Sequence, residues 1–141
     1  MAEQVISSGC KVFDVDLNSC TVDDLQFSSE YSFQILPRDQ NAGVTSQRQD
    51  FNALVMWFET DFPIANHMKE DERIVLSTSP WQALTHWKHQ LLYFQAPEHQ
   101  MLSVPVGEKV SGSLALRKNP EDIHDIEIKA SVAFSGRRIV G

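Results

Sequence analysis

The stretch Ile126-Glu127-Ile128-Lys129-Ala130-Ser131-Val132-Ala133-Phe134 places an apolar residue at every second position, with Glu127, Lys129 and Ser131 facing away. Side chains alternate between the two faces of a strand, whereas a helix would scatter this pattern around its whole surface. The segment can therefore collect its apolar residues on one side only as a strand. The same alternation recurs in Tyr31-Ser32-Phe33-Gln34-Ile35, and Val110, Gly112, Leu114 and Leu116 fall on one face of another strand. No run of 11 or more residues keeps a helical period, and no internal repeat is present. An all-β chain is expected: a distorted antiparallel β-barrel or sandwich of about eight or nine strands with short helical turns.

The remaining elements follow from the same pattern. Residues 51–62 open with a dense apolar run and close in alternation, which predicts one central strand with Phe58, Thr60 and Phe62 on one face. Ile74-Val75-Leu76-Ser77 predicts a short strand. Residues 86–94 predict another, with Trp87, His89, Leu91 and Tyr93 on one side. Residues 12–17 also alternate and predict a strand, followed by one helical turn over 22–25 capped by Ser19 or Thr21. Turns or loops are expected at 104–107 and 118–122, and longer surface loops at 36–49 and 63–71. After a turn at Ser135-Gly136, residues 137–141 extend a strand or fray.

Composition narrows the function classes. With 141 residues, 42% of them hydrophobic, residues 1–141 suffice for one domain with an ordinary core. The apolar run at 53–58 is far shorter than the roughly 20 residues that cross a bilayer, so no membrane partner is expected. The first residues lack a secretion signal, and Cys10 and Cys20 are expected as reduced thiols of an intracellular protein, in cytoplasm or nucleus. A net charge of -7, from 19 acidic and 12 basic residues, opposes a phosphate backbone and excludes nucleic acid. It suits solubility, or a basic peptide partner. The histidines, His67, His86, His89, His99 and His124, form no metal-ligand spacing with the cysteines. The six glycines are scattered, with no GxGxxG, GxSxG or P-loop, so no cofactor site of the chain's own is recognisable.

One segment resists a purely architectural reading: Ser77-Thr78-Ser79-Pro80-Trp81-Gln82-Ala83-Leu84-Thr85-His86-Trp87-Lys88. Pro80 steers Ser79 away from helical dihedrals, so a strand ends near Ser77. On the architectural reading Trp81 covers the end of the core and Trp87 opens the next strand facing inward, leaving His86 and Lys88 outward. On the functional reading the imidazole of His86 titrates near neutrality and shares a proton with a carboxylate brought from elsewhere. The acids nearest in sequence are Asp71, Glu72 and Glu98. A third use is stacking and one hydrogen bond to a bound peptide. The residues alone leave these open.

The segment and its surroundings resemble the C-terminal β-barrel domain of the protein arginine methyltransferases. Four stretches carry the resemblance, in matching order: residues 20–29, CTVDDLQFSS; residues 53–62, ALVMWFETDF; residues 76–88, ending in Thr85-His86-Trp87-Lys88; and residues 106–112, VGEKVSG, followed by Asn119-Pro120. It spans nearly the whole chain. Members of that family transfer methyl groups from S-adenosylmethionine to arginine guanidinium nitrogens. The resemblance implies that Thr85, His86 and Trp87 form a loop facing a cofactor-binding domain beside the substrate pocket. His86 would pair with an acid of that domain in a supporting catalytic role, and Thr85 and Trp87 would shape the substrate pocket. Arginine-rich protein substrates and a homodimeric parent are implied too. The family's cofactor domain, its two catalytic glutamates and its dimerisation arm have no counterpart in these 141 residues. His89-Gln90 also stands where Gln-Thr is usual. The chain is therefore expected to be the distal part of such an enzyme, inactive alone and binding no S-adenosylmethionine by itself. A regulatory or scaffold subunit and an unrelated peptide- or glycan-binding β-sandwich are the alternatives.

Overall fold

A computed structural model describes residues 2–37, 48–62, 74–94, 101–122, 124–135 and 137–140. Ten strands run in the order β1 (Phe27–Gln34), β2 (Arg48–Phe51), β3 (Ala53–Met56), β4 (Glu59–Asp61), β5 (Val75–Ser77), β6 (Gln90–Tyr93), β7 (Leu102–Pro105), β8 (Lys109–Lys118), β9 (Ile126–Phe134) and β10 (Arg137–Val140). Among the described residues the helical content is two 3-10 turns, Ala2–Gln4 and Asp23–Leu25. The all-β antiparallel expectation holds. The hydrogen-bonded pairings form one four-stranded sheet and three two-stranded ladders, not one closed ring of strands among the described residues. The chain divides into two compact units, residues 6–51 with 94–141 and residues 1–5 with 52–93.

The first unit carries the core. Its sheet has the order β1-β8-β9-β10, every neighbour antiparallel. Register places Tyr31 opposite Gly112, Phe33 opposite Val110, and Val132 opposite Gly112, so the alternating apolar residues of three strands share one face. Tyr31, Ile35, Val110, Leu114, Val132 and Phe134 are buried there, as are Phe51 and Val104 of the β2–β7 ladder. Phe51 meets the edge of Phe94 at 5.9 Å and packs tilted on Phe134 at 6.3 Å. The polar face is stitched by Ser113 and Ser131, whose hydroxyl oxygens lie 2.8 Å apart while Ser113 N donates to Ser131 Oγ.

Glycine at position 112 has a steric cause. The Tyr31 ring lies across it and donates its hydroxyl to Ser131 O at 2.7 Å, on the strand beyond. Burial, and then the charge on Cys10, push the Tyr31 phenol up to about 12. The unfolded chain gives up this proton near 10 and the folded chain only near 12, so the contribution is complete below pH 10 and lost as pH rises through 12. In a Tyr93→Phe variant, where Tyr31 is the remaining tyrosine, phenolate absorbance should rise with a midpoint of about 12, together with unfolding. A midpoint near the ordinary value of about 10 would mean the ring is not enclosed.

Glu108 ties the turn before β8 to the end of β9. After Pro105, the turn at Val106-Gly107 needs the left-handed φ of 84° that glycine adopts without cost. Glu108 Oε1 then accepts from both the amide and the hydroxyl of Ser135, at 3.1 and 3.0 Å, which holds the chain just past the end of β9.

Several expectations need correction. Residues 12–17 form no strand: Asp16 turns the chain instead, its carboxylate accepting from Asn18 N and its carbonyl from Ser19 N and Cys20 N. Phe13 stacks on Phe27 at 4.3 Å, so the alternation is used for packing without a ladder. At the following turn neither Ser19 nor Thr21 caps by accepting a bond. Thr21 donates its amide and its hydroxyl to Asp24 Oδ2, both at 2.7 Å. The single strand expected over 51–62 is three short ones, interrupted at Asn52 and at Trp57-Phe58, and each pairs with a different strand. Residues 104 and 105 end a strand rather than begin a turn, and Arg48 and Gln49 lie in β2 rather than a loop. The rest of the loop expected at 36–49 falls largely outside the described residues, as does the loop at 63–71. Residues 137–140 do extend a strand, and Cys10 and Cys20 are free thiols.

Candidate functional site

The loop from Ser77 to Lys88 belongs to the second unit, and its first half is pinned. Opposite β4, β5 ends with Ser77 across from Glu59, and the Ser77 hydroxyl donates to Glu59 Oε1 at 3.0 Å. The ladder continues one step further through Thr78. Its amide donates to Phe58 O at 3.0 Å, and its hydroxyl accepts from Phe58 N at 3.1 Å. Ser79 then folds the chain over: its hydroxyl accepts from Trp81 N at 3.2 Å and its carbonyl from Gln82 N at 3.1 Å. Thr78, Ser79 and Pro80 are buried. Trp81 stands edge-on to Trp57 at 5.3 Å and remains 48% exposed. The strand end at Ser77 and the turn at Pro80 were legible in advance; the clip of Thr78 on Phe58 was not. Its signal was the run of three hydroxyl residues, Ser77-Thr78-Ser79, directly before Pro80, a pattern that forms such local turns.

The second half departs from the sequence reading. The expected strand over 86–94 begins only at Gln90, because its partner β3 ends at Met56, which pairs with Gln90. Lys88 adopts a φ of 58°, which a strand cannot contain. Trp87 therefore does not open a strand and does not face inward; it is 63% exposed. His86 is exposed as expected, its ring edge-on to Trp87 at 5.9 Å, and it makes no hydrogen bond or ion pair among the described residues. Thr85 is half-buried with its hydroxyl oxygen sealed from solvent and unpartnered. The three residues stand in one turn, held between Pro80 and β6.

This arrangement presents an imidazole and an indole outward. Among the described residues no carboxylate bonds to the imidazole; Asp71, Glu72 and Glu98, the acids nearest in sequence, lie outside the described residues. Apolar exposure is heavy around the loop's own unit: Leu84 is 84% exposed, and Phe58, Phe62, Ile74, Val75 and Tyr93 are also open. An adenosyl cofactor does not fit the described residues. No glycine turn leads from a strand into a helix, and both helical elements are three-residue turns. A concavity of about 320 Å³ is lined by Phe13, Asp14, Val15, Asp16, Ser19, Cys20 and Asp24, and none of Thr85, His86 and Trp87 lines it. No group of three metal-ligating residues is found among the described residues, and no helix there is long and apolar enough to cross a membrane.

The model of the arginine methyltransferase oligomerization subdomain matches residues 1–137. The chain belongs to the arginine methyltransferase family. It is 31% identical over 132 residues to protein arginine N-methyltransferase 1 of Saccharomyces cerevisiae, covering 93% of this chain and 33% of the relative. It is 32% identical over 139 residues to protein arginine N-methyltransferase 6 of Danio rerio, covering 96% and 34%. Among solved structures it resembles the Trypanosoma brucei PRMT1 enzyme-prozyme heterotetrameric complex with AdoHcy, with a TM-score of 0.79 at 22% identity, over 99% of this chain and 39% of that one. That likeness establishes the fold. The chain thus spans about a third of the length of the arginine methyltransferases it matches.

Proposed function

We propose that this chain works as the β-portion of a protein arginine methyltransferase, completing the active site of a separate S-adenosylmethionine-binding body with its Thr85-His86-Trp87 turn. The observation that carries the reading is the exposed turn itself: His86 and Trp87 project from a pinned loop, in a unit whose apolar side chains are left open. S-adenosylmethionine bound in that body supplies the methyl group. A guanidinium keeps its charge at neutral pH and must be oriented by carboxylates, which this turn does not contribute. His86 instead bonds an acid of the facing body and fixes it in place. Trp87 closes the wall of the arginine pocket, and Thr85 fixes the turn from which both project. Arginine-rich proteins are the substrates, steered by the net charge of -7, and the working assembly is a homodimer inside the cell. A regulatory subunit is the second reading, favoured by the pairing of enzyme with prozyme in the trypanosome complex of the same fold.

A chimaera tests the choice. Residues 1–137 replace the matching third of the yeast relative, and methyl transfer to an arginine-containing protein is measured. Transfer within about tenfold of the unaltered relative is expected, since tenfold corresponds to only about 1.4 kcal/mol in the barrier. A chimaera that folds and binds S-adenosylmethionine but transfers nothing would leave the regulatory reading standing alone.

A further inference from the structure

Two unfavourable features meet in one short turn. Lys88 holds a φ of 58°, in the left-handed region that residues other than glycine, asparagine and aspartate seldom occupy. Three residues earlier, Thr85 Oγ1 is closed off from solvent without a hydrogen-bond partner, a condition few native polar atoms tolerate. Among the described residues no hydrogen bond to Thr85 Oγ1 offsets its burial. Residues 85–88 belong to no ladder, and His86, Trp87 and Lys88 are all exposed. Both ends, by contrast, are fixed. Thr78 is clipped to Phe58 upstream, and Gln90 is paired with Met56 downstream. A strained link between fixed ends has few ways to relax, and the simplest is rotation about the bonds inside the turn.

We infer that Thr85–Lys88 is a two-state turn, resting in the strained form, whose other state returns Lys88 to negative φ and frees the Thr85 hydroxyl to bond. His86 and Trp87 lie between the two strained positions, so they change direction together when the turn switches. Strain of this kind collects where a structure must be bistable. Under the methyltransferase reading, cover over Trp87 selects one state; the bistability itself does not depend on that reading.

The test uses the 141-residue chain and two variants. Thr85→Val keeps the side chain's shape and removes the orphan hydroxyl; Lys88→Gly makes the left-handed backbone free of strain. Each should raise the Tm by about 3 °C, the size expected when one strained position is relieved in a chain of this length. In the wild type, NMR relaxation dispersion of the 85–88 amides should show exchange on the microsecond-to-millisecond scale, flattened in both variants. Lys88→Val, which cannot hold the left-handed state, should lower the Tm instead. A Tm gain in only one of the first two variants or in neither, wild-type amides without exchange, or exchange that persists in both variants would each overturn the inference. No measurement here involves cofactor, methyl transfer or a second protein, so its failure leaves the methyltransferase reading untouched.

Discussion

Gly112→Ala should cost the chain about 3 kcal/mol or more and lower its Tm by on the order of 10 °C, with chemical denaturation as the direct measurement. The conformation of Gly112 is not the cause, since it lies within β8 in ordinary extended backbone. Space is. A methyl at that position would overlap the backbone carbonyl oxygen of Ser131 and stand 2.7 Å from both Cζ and Oη of Tyr31. Neither obstacle can retreat cheaply. The carbonyl belongs to the centre of the sheet, and the ring is buried with its hydroxyl bonded to that same oxygen. Relief requires expelling the tyrosine or prying β8 from β9, and either opens the apolar face that joins three strands. A double variant, Gly112→Ala with Tyr31→Phe, separates the two obstacles. Losing the hydroxyl removes one close contact and leaves the carbonyl overlap, so most of the loss should remain. A single variant as stable as the wild type would show that the ring does not cross Gly112.

The contrast between β9 and residues 12–17 shows where the sequence speaks and where it falls silent. Both alternate, because alternation reports only that one face wants cover. Whether a strand forms depends on a neighbour with free hydrogen-bonding groups, and that neighbour is distant in sequence. Residues 126–134 meet β8; residues 12–17 meet the turn made by Asp16. The same limit explains the fragmentation of 51–62. Its apolar run passes directly into alternation, but three different partners take successive pieces of it. Gly112 was visible as a glycine within a strand pattern, a sign of close backbone or ring approach; that the ring is Tyr31 was not, since only the register brings them together.

At the loop, the proline and the hydroxyl residues around it announced a turn, and the Thr-His-Trp triplet announced the family. The outward placement of Trp87 was missed for a specific reason. Alternation from Trp87 through Tyr93 reads as a strand only if Lys88 is extended, and lysine gives no warning of a left-handed backbone as glycine or asparagine would. What turned Trp87 outward was the end of β3 at Met56, a boundary set more than 30 residues away.

In the chimaera described above, His86→Ala should reduce methyl transfer on the order of 100-fold while changing the dissociation constant for S-adenosylmethionine by less than about twofold. The asymmetry follows from where the imidazole stands. It is exposed on the β-portion, beside Trp87 and without a hydrogen bond of its own, so its removal leaves the local packing of Trp57 on Trp81 and the Thr78 clip intact. On the proposed reading the methyl donor is held by another body, and its affinity has little reason to change. The arginine, however, must sit within a fraction of an ångström of the sulfonium, and an acid that loses its imidazole partner no longer holds that alignment; a misplacement of about 1 Å is enough for a loss of this order. His86→Gln separates bonding from proton transfer. A glutamine that restores much of the rate identifies a positioning role through hydrogen bonding, whereas a glutamine as poor as alanine, with a pH–rate profile that loses one limb, identifies proton transfer. Equal losses in transfer and cofactor affinity, or no loss in either, would return the turn to a purely architectural role and detach His86 from the chemistry.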